Sequence, residues 1–179
     1  GVQEAWRRTV DANPEVAARH GTVSTEILRL MIGAAGGAAL GEMLRANGAV
    51  ASLSLHLNPL GDGGATALAN ALTANAALGE LDCGAAGVGD AAAVAIAAML
   101  RANGALHTVR LHSNSIGDDG AAALGEALRT NTALRELDLS HNDLRQIGSL
   151  PPNLDQLRAS HNRLATLPAL PECLSSIAV

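Results

Sequence analysis

Carboxylates that flank a leucine at regular intervals are the residues most able to do chemistry in this sequence. Glu80 and Asp82 flank one leucine, Glu136 and Asp138 flank another, and Arg110 stands midway between the two pairs. Paired carboxylates can act as general acid and base, but that chemistry needs a cleft, and the surrounding residues indicate none. No enzymatic activity and no cofactor are expected. The four carboxylates around Arg110 give an acidic patch with one basic centre, and one interpretation is a docking patch for a basic or polar partner surface. The alternative is a row of solvated positions whose ion pairs contribute little.

The histidines do not form a recognisable metal-binding motif. His56, His112, His141 and His161 recur on one side of the predicted strands, but no Cys/His spacing typical of zinc is present, so no metal site is predicted. His141 and His161 occupy equivalent positions 20 residues apart, and we expect them to lie near each other. All four histidines are interpreted as solvated surface residues, with a pH-sensitive contact as the alternative.

The two cysteines are predicted to be unpaired. Cys83 stands where other copies of the same pattern have leucine, so it should be a small buried apolar side chain. Cys173 falls in a predicted turn and has no recognisable base partner, so a free thiol is expected rather than a nucleophile. Two cysteines so far apart do not form a disulfide framework.

The composition excludes several classes of protein. The 179 residues are 48% hydrophobic but only 1% aromatic, and the formal net charge is -5. All 12 basic residues are arginine and they form no basic block, so no nucleic-acid partner is expected. The longest strongly apolar stretches, such as residues 91–100, are too short to span a membrane, and the first residues lack the pattern of a secretory signal. The core must be aliphatic.

A repeat organises most of the chain. The pattern L-x-x-L-x-L-x-x-N-x-L begins near residue 50 and returns at residues 78, 106 and 134, a spacing of 28, with a degenerate copy near residue 22. From residue 134 the spacing falls to 20, with copies at residues 154 and 174. Several in-phase copies are typical of leucine-rich repeats. Leu30 and Ala86 replace the asparagine in two copies, so we expect either local slack or an alternative bond at those turns.

Each half of the repeat predicts its own element. In L-x-L the two leucines alternate, so both point inward from a short strand. In the long repeats Asp62, Asp90 and Asp118 stand where a helix N-cap is wanted, and asparagines such as Asn75 and Asn103 recur where the helix should end. In the short repeats prolines replace the helix and favour an extended return segment. The predicted fold class is α/β, a horseshoe-shaped solenoid with a concave parallel sheet, convex helices in the long repeats and extended segments in the short ones.

The outward strand positions should form columns on the concave face. Equivalent positions in successive strands then lie side by side, so that the charged residues of one repeat meet those of the next. The candidate protein-binding residues on this face are His56, Glu80, Asp82, Arg110, His112, Glu136, Asp138 and Arg158.

The repeat pattern divides the chain into three predicted segments. Residues 1–21 do not match the pattern and are predicted to form an N-terminal helical cap, with Trp6 as its anchor or, alternatively, as a binding residue. Residues 22–133 hold the 28-residue repeats and residues 134–179 the 20-residue repeats. No matching cap is recognisable before Val179, so we expect either further chain or an end-to-end homodimer.

The two kinds of repeat resemble two different subfamilies. The segments Asn58–Ala65 and Asn114–Ala121, each running into an A-L-x-x-A-L helix, resemble ribonuclease-inhibitor-like repeats, which also occur in cytosolic immune receptors. That resemblance covers residues 22–133. The segment from Pro151 to Pro171 carries a second resemblance, which covers residues 136–179, to the bacterial repeats of type III secreted effectors of the IpaH and YopM kind.

The second resemblance implies a function. In those effectors the repeat domain binds a host protein, and in many it precedes a ubiquitin-ligase domain with a catalytic cysteine. It implies a recognition module that is made in the bacterial cytoplasm and delivered into the host cytoplasm. No ligase domain is present in these 179 residues, so that activity does not carry over. The alternatives are a repeat scaffold or engineered hybrid without its own partner, and a ribonuclease-inhibitor-like binder.

Overall fold

The computed structural model describes residues 32–179 as helices and strands that alternate as far as the fourth strand, after which only strands follow. The predicted N-terminal cap with Trp6 and the first part of the degenerate first copy of the repeat, residues 22–31, lie outside the described residues. The helices are α1 (Ala34–Arg45), α2 (Gly61–Leu72), α3 (Asp90–Ala102) and α4 (Asp118–Leu128). The strands are β1 (Ser52–Ser54), β2 (Glu80–Asp82), β3 (Thr108–Arg110), β4 (Glu136–Asp138), β5 (Gln156–Arg158) and β6 (Ser176–Ala178).

The strands form one parallel six-stranded sheet whose order follows the chain, β1 to β6. In each pair the register joins equivalent repeat positions, so that Leu53 pairs with Leu81 and Leu137 with Leu157. The columns expected from the sequence are therefore present over the described strands. The α/β leucine-rich repeat solenoid is confirmed for this part of the chain.

The core is a continuous aliphatic layer between the sheet and the helices. The middle residue of each of the first five strands is buried, and leucines from the helices pack against the same layer. Small residues bring neighbouring helices close: an added Cβ at Gly37 would lie 2.9 Å from the backbone of Gly64 in the next helix. The scarcity of aromatic residues fits this thin core, because each repeat contributes only one shallow layer of side chains.

None of the three aspartates predicted as helix N-caps caps its own helix: two of them cap the next helix, and Asp118 accepts from Arg145 N–H at 3.0 Å. Oδ1 of Asp62 accepts hydrogen bonds from the backbone N–H groups of Gly89 (2.7 Å) and Ala92 (3.2 Å) at the start of α3. Oδ1 of Asp90 does the same for Gly117 (2.8 Å) and Gly120 (3.0 Å) at the start of α4. Each aspartate already lies inside the first turn of its helix, while the next helix starts alongside it. The carboxylate therefore satisfies N–H groups one repeat away.

The asparagines that follow the helices also bond between repeats. Nδ2 of Asn103 donates to the carbonyl oxygens of Leu72 (2.7 Å) and Asn75 (2.9 Å), at the end of the preceding helix, while its Oδ1 accepts from Leu106 N–H. Asn103 itself has φ -84° and ψ 121°, so its backbone is extended and the side-chain bonds close the end of the helix. Asn75 and Asn131 repeat the same arrangement.

A second asparagine ladder holds the turns that leave the strands. Nδ2 of Asn114 donates to the carbonyl oxygens of Cys83 and Leu111, and its Oδ1 accepts from Val88 N–H, so it links two repeats. The ladder is interrupted at Ala86, and the expected alternative bond is present: Gly61 N–H donates to the Ala86 carbonyl oxygen at 3.0 Å. Gly61 has φ +60° there, a left-handed conformation that glycine adopts without strain.

The convex side changes after α4. Between β4 and β6 the chain contains only short strands, turns and irregular segments, as the prolines of the short repeats predicted. Of the helices found in residues 32–179, none combines the length and apolar character needed to cross a membrane.

Candidate functional site

The concave face carries a row of alternating charges that we call the charge ladder: Glu80, Arg110, Glu136 and Arg158. Arg110 and Glu136 form two parallel contacts, Nη2 to Oε2 at 3.1 Å and Nε to Oε1 at 3.3 Å. Nη1 of Arg158 lies 2.9 Å from the same Oε1 of Glu136. Nη1 of Arg110 lies 4.0 Å from Oε2 of Glu80 on the other side. One carboxylate thus holds two guanidinium groups that come from different repeats.

The solvent exposure of the side chains increases from the centre of the charge ladder to its ends. The side chain of Glu136 is 18% exposed and that of Arg110 is 31% exposed. The end members Glu80 and Arg158 are 44% and 45% exposed. The central pair is therefore partly desolvated and has a fixed geometry, while the ends remain available to water or to a partner.

The other two predicted carboxylates, Asp82 and Asp138, mainly hold turns. Oδ1 of Asp82 accepts from Gly84 N–H at 2.8 Å, and Oδ1 of Asp138 accepts from Ser140 N–H at 2.9 Å. Asp138 is only 8% exposed, so it offers little surface to a partner. The sequence suggested one arginine among four carboxylates, whereas the carboxylates that reach Arg110 are Glu80 and Glu136.

The histidines form two close pairs at the ends of strands. The rings of His141 and His161 are stacked, with centroids 4.1 Å apart and an angle of 12° between planes, which confirms their expected proximity. The rings of His56 and His112 lie 5.2 Å apart and are tilted by 42°, although two full repeats separate them in the chain. Both His56 and His112 are half-buried.

The cysteines are both free, as expected. Cys83 is buried, and this burial raises the pKa of its thiol to about 12, with a further contribution from the Asp82 carboxylate. Cys173 is exposed, and its Sγ lies 3.1 Å from the Pro152 carbonyl oxygen. A buried thiol with so high a pKa is a poor nucleophile, because the thiolate is the reactive form.

The sequence did not indicate one cluster that the structure assembles. His56, Asp82 and His112 each offer a ligand atom, and within residues 32–179 these three atoms lie within 4.8 Å of one another. No local spacing motif could reveal them, because each belongs to a different repeat. The available signal was the column His56, Gly84, His112, in which a residue without a side chain separates two histidines.

Comparisons with known proteins support a leucine-rich repeat protein. Residues 133–157 match the family model described as Leucine Rich Repeat. The chain is similar to a solved structure of the Leiomodin-1 Actin-Binding Site 2 (ABS2), with a TM-score of 0.58 and 22% sequence identity. That match covers 65% of this chain and 75% of the other, and it shows a shared fold. A search of curated proteins found no match.

Proposed function

We propose that this chain is a protein-interaction module that binds its partner on the concave face. The observation that carries the proposal is the charge ladder, a row of partly exposed alternating charges in a fixed geometry across β2 to β5. Complementary charge rows fix the register of a partner and favour its encounter. The helices occupy the opposite side of the sheet, and the outward positions of β2, β4 and β5 other than Asp138 remain at least partly exposed. The Leiomodin-1 structure, an actin-binding site by name, supports the broader class of protein-binding repeats.

The more specific proposal is a target-recognition region of a bacterial type III secreted effector that acts in the host cytoplasm. It is supported by the resemblance of Pro151–Pro171 to the repeats of such effectors. In this proposal the partner is a host protein, and any ligase activity would belong to another domain of the effector.

The test compares capture of proteins from a eukaryotic cell lysate by three forms of the chain. The ladder variant replaces both arginines of the charge ladder, Arg110→Ala with Arg158→Ala. The matched control replaces two exposed arginines on the convex side, Arg101→Ala with Arg129→Ala. A specific partner should be retained by the wild type and the control, and lost by the ladder variant. Equal retention by the ladder variant would contradict the use of this face.

Two defined probes separate the alternatives. Purified actin and a basic ribonuclease are each tested for direct binding by the wild-type chain. Inhibition of the ribonuclease would favour the ribonuclease-inhibitor-like function, which the net charge of -5 permits. A chain that retains no specific protein from the lysate and binds neither probe would favour the repeat scaffold without its own partner. The chain has no Tyr and a single Trp, the aromatic residues most common in interface hot spots, and this scarcity is the observation behind that alternative.

The end-to-end homodimer remains a separate proposal. Several large apolar side chains in the last two copies of the repeat are exposed, among them Leu167, Leu170 and Ile177. A second copy that covers them would bury this surface. Light scattering over a range of concentrations should then show a dimer, and a monomer at the highest concentration would contradict it.

A further inference from the structure

Three residues from successive repeats converge at the edge of the concave face beyond the charge ladder. His56 follows β1, Asp82 ends β2 and His112 follows β3. Their ligand atoms all lie within 4.8 Å of one another, and Nε2 of His112 is 4.0 Å from Oδ1 of Asp82. All three side chains are half-buried, so the cluster is open to solvent on one side.

Gly84 provides the space in which the three side chains meet. A Cβ built on Gly84 would lie 2.4 Å from Nε2 of His112 and 2.9 Å from Nδ1 of His56. No side chain fits there without displacing both rings. The glycine is not required by its backbone, because its φ lies outside the left-handed region where only glycine is relaxed. Its role at this position is to leave room between the histidines.

Polar contacts orient all three groups, and Nδ1 of His112 lies 3.3 Å from the Ser113 hydroxyl oxygen. Nδ1 of His56 lies 3.0 Å from the Gly84 carbonyl oxygen, which can only accept, so His56 carries its proton on Nδ1 and has its lone pair on Nε2. Asp82 accepts from Gly84 N–H at Oδ1 and from the Ser54 hydroxyl at Oδ2, 3.3 Å away. Backbone and side-chain partners of this kind are what hold metal ligands in orientation.

We propose that His56, Asp82 and His112 bind a divalent transition-metal ion, with Zn²⁺ as the representative. Two neutral imidazoles and one carboxylate suit Zn²⁺, Co²⁺ and Ni²⁺, and three protein ligands leave a coordination position for water. In a tetrahedral site with bonds of 2.0–2.1 Å the ligand atoms are ~3.3 Å apart, so the cluster must contract by up to ~1.5 Å. The metal would draw the half-buried side chains of His112 and Asp82, now 4.0 Å apart, towards each other and towards His56.

The first test measures metal binding to the untagged chain by calorimetry with ZnCl₂ and by the visible absorption of Co²⁺. Wild type is compared with His112→Ala and Asp82→Asn. The control is the double variant His141→Ala with His161→Ala, which removes the other histidine pair. We expect one equivalent of metal in the wild type and in the control, and a loss of affinity of at least ~10-fold in each ligand variant. Wild-type affinity in His112→Ala, or a loss confined to the control, would overturn the proposal.

A second variant separates lost coordination from lost structure. Gly84→Ala removes no donor atom, but its methyl group occupies the space between the rings. We expect its circular dichroism spectrum to match that of the wild type and its metal affinity to fall at least ~10-fold. Tight binding in a folded Gly84→Ala chain would contradict the assigned geometry, whatever the result with the ligand variants. Because neither test involves a protein partner, failure here leaves the proposed interaction surface unaffected.

Discussion

Arg110 and Glu136 meet side by side across β3 and β4, with Nη2 to Oε2 at 3.1 Å and Nε to Oε1 at 3.3 Å. Such a two-contact geometry fixes the plane of the guanidinium and is stronger than a single contact. The same Glu136 also accepts from Arg158 at 2.9 Å. The charges of three successive repeats are therefore coupled through one carboxylate.

Removal of this shared carboxylate should lower stability modestly. We expect Glu136→Gln to reduce the free energy of unfolding by ~1 kcal/mol in low salt, because two guanidinium groups lose a partly buried partner. The loss should shrink as added salt screens the charges. Urea denaturation measures the change. The control is Glu42→Gln, whose exposed pair with Arg45 on α1 should contribute nothing measurable; an equal effect at both sites would contradict a special role for the ladder.

The aspartate bonds between helices predict that Asp90 contributes more to stability than Asp119 does. Asp90→Ala should destabilise the protein by ~1 kcal/mol, because two N–H groups at the start of α4 lose their acceptor. Asp119→Ala is the matched control: Asp119 lies in the first turn of α4 but is exposed. Thermal or urea unfolding should show little effect at Asp119. Equal losses at both positions would mean that only the helix dipole matters.

The asparagine ladder at the helix ends predicts a larger effect. Asn103→Ala removes two donated and two accepted hydrogen bonds at a buried site, and should cost about 2–4 kcal/mol of unfolding free energy. The exposed Asn70 in α2 provides the control, where alanine should be neutral or slightly stabilising. The measurement is urea denaturation with an unchanged slope. A cost below ~0.5 kcal/mol at Asn103 would show that water replaces the lost bonds.

Cys83 should govern stability at alkaline pH. Its pKa is raised to about 12 in the folded chain, whereas an unfolded thiol titrates near ~8.5. The folded state then holds a proton that the unfolded state releases, so stability is full below pH ~8.5 and falls by ~1.4 kcal/mol per pH unit towards pH 12. The chain has no lysine and no tyrosine, so few other groups titrate in this range.

Urea denaturation at several pH values between 8 and 11 measures this slope. Cys83→Ala should abolish most of it, and alanine is the residue found at the equivalent position 159 of a short repeat. Cys173→Ala is the control and should keep the slope, because Cys173 is exposed in the folded chain. A slope that survives in Cys83→Ala would assign the alkaline loss to another group.

Much of the fold followed from the sequence because each repeat buries the same pattern. The L-x-L positions predicted the strands and their parallel register, and the structure pairs Leu53 with Leu81 as that pattern requires. The stacked rings of His141 and His161 followed from the same register. The prediction of the helix caps was wrong. The N-cap rule considers only local sequence and assigns Asp90 to its own helix, whereas the solenoid places the start of the next helix within hydrogen-bond distance of Asp90.

The sequence by itself determined the strand positions, the two repeat lengths, the aliphatic core and the columns of the concave face, because hydrophobic spacing depends only on the local period of a strand or helix. The tertiary structure decided which side chains meet between columns. It joined Arg110 to Glu136 rather than to Asp138, and brought His56 and His112 together over Gly84. These contacts depend on side-chain length, the backbone bonds of each turn and the space left by a glycine, which no periodic pattern encodes.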